Sequence, residues 1–450
     1  MSPPPLLSVA AVALVALGAL GGPTPAPARP PGRAVPAVDP AEVADLPDAT
    51  AALQARLDAT PDGATLRLEP GATYRLDGTL VVAGRRDLRI DGGGARLVAG
   101  ATGDGDRAHL RIVGGRGVVV TDLTIVGANP YAGLDDRAYQ VELVGQHGVR
   151  LEGAVDVELD GVRITDVFGD FVYVGRHDDG RWSESVWIHD STFARSGRQG
   201  LTVTAGRNVV IERNAITETR RATIDLEPNS PSWGAEDIHI LDNDVGPGRL
   251  LFVAAAGRGP VDEVVVARNR LRSHILNITV EPPGAERRRR FWVVDNTSDE
   301  PATRPPLRFT RVDGVVVTGN RQPMVRPGEP AVAVDGVCGL VVAGNDLTPG
   351  SLATTADPPE CAEPMPRVPP DPPPIAGRSP AAPPSTAAAT SVGRPAPANE
   401  PGPSGDGGGS GTAVALLVTA AAIAGVGLAV SARRGRRSAA RRRQPPWPRP

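Results

Sequence analysis

The segment Arg220–Ser230 reads Arg-Arg-Ala-Thr-Ile-Asp-Leu-Glu-Pro-Asn-Ser and holds the chain's most suggestive pair of acids. Asp225 and Glu227 flank one aliphatic residue, Leu226. Alternate side chains of a strand share a face, so both carboxylates are expected on one side, pointing to solvent, with Ile224 and Leu226 turned inward. Two carboxyls held side by side can divide proton donation and acceptance between them. Pro228 ends the strand because it has no N–H to give to a ladder. Upstream, Arg198-Gln199-Gly200 supplies a second arginine, and aligning the inward residues stacks Arg198 on Arg221. Guanidinium groups grip carboxylates in bidentate fashion, so arginines beside paired acids suit a carboxylated sugar. Glu281-Pro282 repeats Glu227-Pro228 two strands later, which puts the two glutamates about 10 Å apart. That lies at the edge of the roughly 6.5–9.5 Å separation of inverting glycosidases. The competing reading is that these acids and arginines are surface ion pairs of little energetic weight.

Other residues offer second choices. Tyr173 and His177 have the types needed for a base and an acid in elimination or epimerisation of a uronic acid. Trp182 and Trp233 lie in neighbouring loops and can serve as platforms for a sugar face or simply cover their own loops. Asp170, Asp178 and Asp179 carry the oxygen ligands that Ca²⁺ wants, but their spacing matches no known loop, and no metal or cofactor is assigned. The run Arg287–Arg290 reads as a solvated turn or as an attraction for an anionic polymer.

Several chemistries are excluded. No lysine occurs in the 450 residues, so neither a lysine base nor a Schiff base is available. The net charge of −3 implies no nucleic-acid partner. No Cys/His set has zinc spacing. Gly92-Gly93-Gly94 opens no helix and is a turn, not a phosphate loop.

These side chains must be positioned by a repeat. The cassette NVVIERNAI at Asn208–Ile216 returns as DIHILDNDV, EVVVARNRL, RFWVVDN, GVVVTGN and GLVVAGNDL, and its asparagines are Asn214, Asn243, Asn269, Asn296, Asn320 and Asn345. A period in the twenties with a short strand and a fixed polar corner indicates a solenoid, here of about ten coils counting looser upstream copies. The asparagines are expected to stack at one corner as structural posts. A second strand precedes each cassette: His109–Val113, Gln140–Val144, Phe171–Val174, Gly200–Thr204, Thr223–Glu227, Leu250–Ala254, Asn277–Glu281, Leu307–Thr310 and Ala331–Asp335. Its outward row is expected to read Arg111, Glu142, Tyr173, Thr202, Asp225, Phe252, Thr279, Arg308, Ala333. Short strands without helical period give an all-β parallel β-helix. The helical stretch Asp48–Ala59, with Leu53 and Leu57 on one side, caps its open apolar end.

The helical cap with LQARLDATPDGATLRLEPGATYRL, followed by coils with an asparagine corner, resembles the pectate-lyase-like right-handed parallel β-helix superfamily, over about Asp48 to Cys361. Ile-Asp-Leu-Glu-Pro after Arg-Gln-Gly resembles a segment of some bacterial members. The resemblance implies the fold and a polysaccharide partner. It leaves the reaction open, because that superfamily includes lyases, hydrolases, epimerases and non-enzymatic surface proteins.

The ends of the chain are not globular. Leu6–Leu20 is a short apolar run followed by Ala26-Pro27-Ala28, which reads as a signal peptide over 1–28. A disordered leader is expected over 29–47, the β-helix domain over 48–362, and a Pro/Ala/Gly-rich linker over 363–411. Ala413–Val430 is uncharged and apolar, with Arg433, Arg434, Arg436 and Arg437 behind it. A transmembrane helix over 412–432 and a cytoplasmic tail over 433–450 follow. The expectation is an exported monomer, anchored by one C-terminal helix, that acts on a polysaccharide, an acidic one where the arginines bind sugar carboxylates, as a lyase, hydrolase or epimerase. The alternative is a non-catalytic glycan-binding or structural protein. Cys338 and Cys361 would pair in such a compartment, a loop closure of about 3 kcal/mol.

Overall fold

The computed structural model describes residues 41–284, 286–323, 330–347, 351–355, 365–372, 374–375 and 378. The expected signal peptide, the expected membrane span and basic tail, and Cys361 lie outside them. Among the described residues no helix is long and apolar enough to cross a membrane.

The chain winds into a parallel β-helix of three sheets, with 11, 9 and 11 strands among the described residues. Each cassette splits at its asparagine. The aliphatic half forms a long strand, as in Gly206–Glu212, and the residues after the asparagine form a short one, as in Ala215–Thr219. The strand that precedes the next cassette, as in Ile224–Leu226, belongs to the third sheet. Every pairing is parallel. One core fills the interior, from Leu53 and Leu57 of the capping helix Thr50–Ala59 to Val332 and Leu347 in the last coils.

The asparagine column is a continuous ladder. Each amide nitrogen donates to the next asparagine's Oδ1, at 3.1 Å from Asn214 to Asn243 and 2.9 Å from Asn320 to Asn345. The backbone N–H of each donates to the same oxygen, as from Asn243 to Asn269 at 3.0 Å. The residue before the asparagine turns the corner in the left-handed region, with φ of 55° at Arg213 and 69° at Gly319. Glycine is strain-free there, and the other residues are held by the ladder.

Two expected strands are misplaced. Residues Val141–Leu143 form a 3₁₀ turn, and the strand of that coil is Val149–Glu152. The alternation at Gln140–Val144 is real but belongs to a loop, because Val149 and Leu151 are the residues that pair with Val172 and Val174. In a later coil the strand is Val253–Ala255, not Leu250–Ala254. Arg150 and Ala254 therefore occupy the row positions expected for Glu142 and Phe252, while Tyr173, Thr202, Asp225 and Thr279 align as expected.

The ends hold more structure than expected. Ala41–Ala44, within the expected leader, forms one helical turn, and Val43 packs on Val98 and Val126. The start of the expected linker lies against the outer face of the long-strand sheet. Ile375 joins Trp187, Val210, Leu241 and Trp292 in a buried cluster. The Trp292 indole donates to the Pro366 carbonyl at 2.9 Å, and Arg378 meets the buried Glu212 carboxylate at 3.1 Å.

Candidate functional site

The third sheet carries the site on its outer face, where the middle coils bring Tyr173, Thr202 and Asp225 into one row. Just before these strands the chain turns, and the corner residues Asp170, Arg198, Gln199 and Arg221 fold their side chains back over the strand ends. Arg198 is central. Its guanidinium reaches Asp170 at 2.7 Å and Glu227 at 3.4 Å. The Arg221 backbone N–H donates to the Arg198 carbonyl at 2.8 Å, so the two arginines occupy adjacent coils as expected.

Asp225 departs from expectation. It does not face solvent but is 3% exposed. The Gln199 amide nitrogen donates to its Oδ2 at 2.5 Å, and Glu227 hydrogen-bonds it from the other side. Gln199 is itself fixed, accepting from the Ala222 N–H at 2.7 Å, while its own N–H donates to Asp170 at 3.0 Å. Strand alternation set the direction of Asp225 correctly but gave no account of what lies over the face. Glu227 alone of the pair remains open, with 21% of its side chain exposed.

The electrostatics follow from that burial. Desolvation and the neighbouring Glu227 push the Asp225 carboxyl well above the usual carboxylate range. Desolvation also raises Glu227, against the pull of Arg198. Two acids in contact at a largely buried site oppose each other's charge, which favours a single proton held between them.

Tyr173 is nearly buried, and burial raises its phenol. It is hydrogen-bonded to the Thr204 hydroxyl at 2.9 Å. The imidazole beside it is not that of His177, which pairs with Asp179 inside its own loop at 3.0 Å. It is His147, stacked on the phenol ring at 4.8 Å with 22° between the planes. The Asp170 N–H donates to His147 Nδ1 at 3.0 Å, which leaves the proton on Nε2. Burial lowers the imidazole to about 4, so it is neutral at pH 7. His147 carried no sequence signal because its strand was expected several residues too early. Gln199 stood in the quoted Arg-Gln-Gly without a role. Arg150 completes this side, its guanidinium 5.6 Å from the Tyr173 ring.

Other candidates lie apart. Glu281 is exposed and sits two strands along, with Val280 level with Ala255 and Leu226. The Trp182 indole donates to the Ser232 carbonyl at 3.1 Å, tying its loop to the one that holds Trp233. One face of each ring is taken by a guanidinium, Arg207 over Trp182 and Arg176 over Trp233. Asp170 is fully buried against Arg198, while Asp179 pairs with Arg181 inside its own loop. Among the described residues the grouping with metal-ligating donors is Glu158, Asp160 and His189, on the long-strand sheet. The arginine run is no solvated turn: Arg288 is fully buried and donates to the Ala256 carbonyl at 3.0 Å, and Arg290 pairs with Asp262. Cys338 is buried and has no free thiol; its expected partner Cys361 lies outside the described residues.

A loop from Asn129 to His147 walls the site along the corner. Asn129 is buried and donates to the Ala138 carbonyl at 3.0 Å. Gly197, beside Arg198, lets this loop approach: a Cβ there would meet the Ala138 carbonyl at 2.6 Å. The Arg221 guanidinium lies 5.3 Å from the Tyr139 ring, its Nε is buried without a partner, and it has no ion pair among the described residues.

No protein-family model matches the chain, and no curated protein does. Solved structures do. The Streptococcus pneumoniae surface protein and adhesin PfbA has 14% identity and a TM-score of 0.48, over 69% of this chain and 96% of that one. A family 28 exopolygalacturonase from Yersinia enterocolitica has 11% identity and a TM-score of 0.48, over 70% of this chain and 76% of that one. The A-module of the Azotobacter vinelandii mannuronan C-5 epimerase AlgE4 has 14% identity and a TM-score of 0.45, over 70% of this chain and 96% of that one. At these identities and TM-scores the likeness assigns neither a superfamily nor any residue's role.

Proposed function

We propose that this protein is a carbohydrate-active enzyme that cleaves an acidic polysaccharide by acid–base catalysis, held outside the cell on a C-terminal membrane anchor. The observation that carries the reading is the Asp225–Glu227 pair, buried and raised in pKa beside Arg198. An acid pair placed where burial and mutual repulsion both oppose its charge is costly to keep, and such sites concentrate at catalytic centres. The shared proton reaches solvent through Glu227, which makes Glu227 the group that meets the glycosidic oxygen. Asp225 holds the proton in reserve, oriented by Gln199. Arg221, which has no ion pair among the described residues and lies near enough to act on the Glu227 charge, is the clamp for a sugar carboxylate. Tyr173 and neutral His147 line the same face as stacking and hydrogen-bonding groups for a bound sugar.

The closed network around Arg198 favours one second reading, a rigid non-catalytic glycan-binding surface, because Asp170, Gln199 and Glu227 already occupy each other. Incubating the ectodomain and Asp225→Asn with a polysaccharide panel separates the two. Unsaturated uronides mark a lyase and new reducing ends without absorbance a hydrolase. A glycan that binds with no product from either protein supports the second reading.

A further inference from the structure

On the outer face of the long-strand sheet, one histidine stands among acids. Glu158 and Asp160 lie two apart on the strand Val155–Asp160, and His189 ends the neighbouring strand Ser183–His189. Parallel pairing sets Asp160 level with His189. Alternation turns all three outward, since Val157, Leu159 and Ile188 fill the core. One donor atom from each of the three lies within 4.8 Å of the others. The Trp187 ring backs the imidazole with centroids 3.5 Å apart. The two ring nitrogens have different neighbours. Asp190 Oδ2 sits 2.7 Å from Nδ1, and Glu158 Oε1 sits 3.2 Å from Nε2. Asp190 is held in turn by Arg213 at 2.8 Å. A carboxylate on one ring nitrogen commonly supports a histidine that ligates a metal through the other. Two donors bound to one ion at about 2.0–2.2 Å stand about 3.0–3.5 Å apart. Nε2 and Glu158 Oε1 are already at that separation.

Charge points the same way. Arg213 and Arg378 serve Asp190 and Glu212, two cations for two acids. Among the described residues Glu158 and Asp160 meet no cation but His189, at 3.2 Å and 3.8 Å. The longer distance is beyond a hydrogen bond, and one imidazole carries at most a single positive charge against two carboxylates. A divalent cation neutralises both. We infer that Glu158, Asp160 and His189 form a site for a divalent transition ion, Zn²⁺ foremost, ligated by His189 Nε2 and one oxygen from each acid, with Asp190 orienting the imidazole from Nδ1. The nitrogen donor favours Zn²⁺ over Ca²⁺, which takes oxygen ligands. Three protein donors leave the fourth position of a tetrahedral ion to water or an anionic ligand. Glu158 also lines a groove of about 400 Å³ with Arg89, Val119 and Ile375, which gives such a ligand room beside the ion.

The test is calorimetric titration of the chelator-treated full-length chain with Zn²⁺ and with Ca²⁺ near neutral pH. A single Zn²⁺ per chain is expected, with Ca²⁺ about ten-fold weaker or less. His189→Gln is expected to lower Zn²⁺ affinity by about 100-fold, and Asp190→Asn, which keeps all three donors, by about ten-fold. Asp160 keeps 41% of its side chain exposed. Asp160→Asn is therefore expected to weaken Zn²⁺ binding while leaving the Tm of the metal-free protein unchanged, which keeps the test decisive if His189→Gln does not fold. His177→Gln, in a histidine–aspartate pair outside this cluster, is expected to change nothing. No bound Zn²⁺, or binding that survives both His189→Gln and Asp160→Asn, overturns the site and leaves His189 as the cation of an ion-pair cluster. Ca²⁺ bound as tightly as Zn²⁺ overturns ligation through the imidazole.

Discussion

Asp225 differs from the other acids of this protein in the direction in which its surroundings push it. Asp135 and Asp179 are held down to about 2 by hydrogen bonds, from Arg137 and the Arg181 backbone respectively, and are ionised surface groups. Asp225 is pushed the other way, first by burial and then by Glu227. A carboxyl raised above its unfolded value of 3.8 adds stability at low pH and loses it as pH rises through the raised value. Urea denaturation of the wild type is therefore expected to show this carboxyl's contribution falling as pH rises from 3.8 to the raised value and level above it. Asp225→Asn, which cannot ionise, is expected to lack that fall; an identical slope in both proteins contradicts the shared proton. The buried histidines act in the opposite direction. His109, His147 and His274 are each lowered by burial to about 4. Below their unfolded value of 6.5 the unfolded chain takes up protons that the native state resists. Stability should drop between pH 6.5 and 4 by up to ~1.4 kcal/mol per pH unit for each histidine. His274→Gln should make that drop shallower.

At the scale of elements, the asparagine corner does the positioning. Its amides tie each coil to the next at 2.9–3.1 Å, and so fix the register that brings Arg198, Arg221 and Asp225 together. Removing a middle rung with Asn269→Ala leaves the Asn243 backbone N–H without its acceptor and takes the amide donor from the Ile240 carbonyl in a dry corner. The expected loss is about 2–4 kcal/mol, read as a lower urea midpoint. This column was legible in the sequence because a fixed polar residue after three aliphatics has few other uses. The third-sheet strands were legible where alternation was the only pattern, as at Ile224–Leu226. They were misread at Gln140–Val144, where a loop happens to alternate, and at Leu250–Ala254, where an extra apolar residue, Phe252, fills the corner. Within the site, Asp225, Glu227, Arg198 and Arg221 were found from spacing. His147 and the cover over Asp225 were not, because both depend on a loop folding back across the sheet, which periodicity along one strand does not encode.

At the scale of the whole molecule, the folded unit reaches beyond the last coil. Composition made residues 363–411 a stalk, since proline and alanine bury little. Yet Ile375 and Arg378 find an apolar, partly charged strip on the long-strand sheet, where Glu212 already accepts from the Trp187 indole at 2.8 Å. An outward Trp, Val, Leu and Trp on a solenoid face is the signal that something lies on it. Ending the chain at residue 363 should uncover Trp187 and Trp292, red-shift tryptophan emission and lower Tm by several degrees. Arg378→Gln alone should cost about 1–3 kcal/mol, because it leaves Glu212 with one cation fewer in a buried setting.

The central claim is that this solenoid performs acid–base chemistry at Asp225 and Glu227. The most direct measurement is product formation from acidic polysaccharides by the β-helix protein, wild type against Asp225→Asn, followed as unsaturated uronides and reducing ends across pH. The account predicts product from the wild type, an alkaline limb set by loss of the shared proton, and at least a 100-fold lower rate in Asp225→Asn. A variant that folds and turns over at the wild-type rate, with the same pH profile, would contradict it.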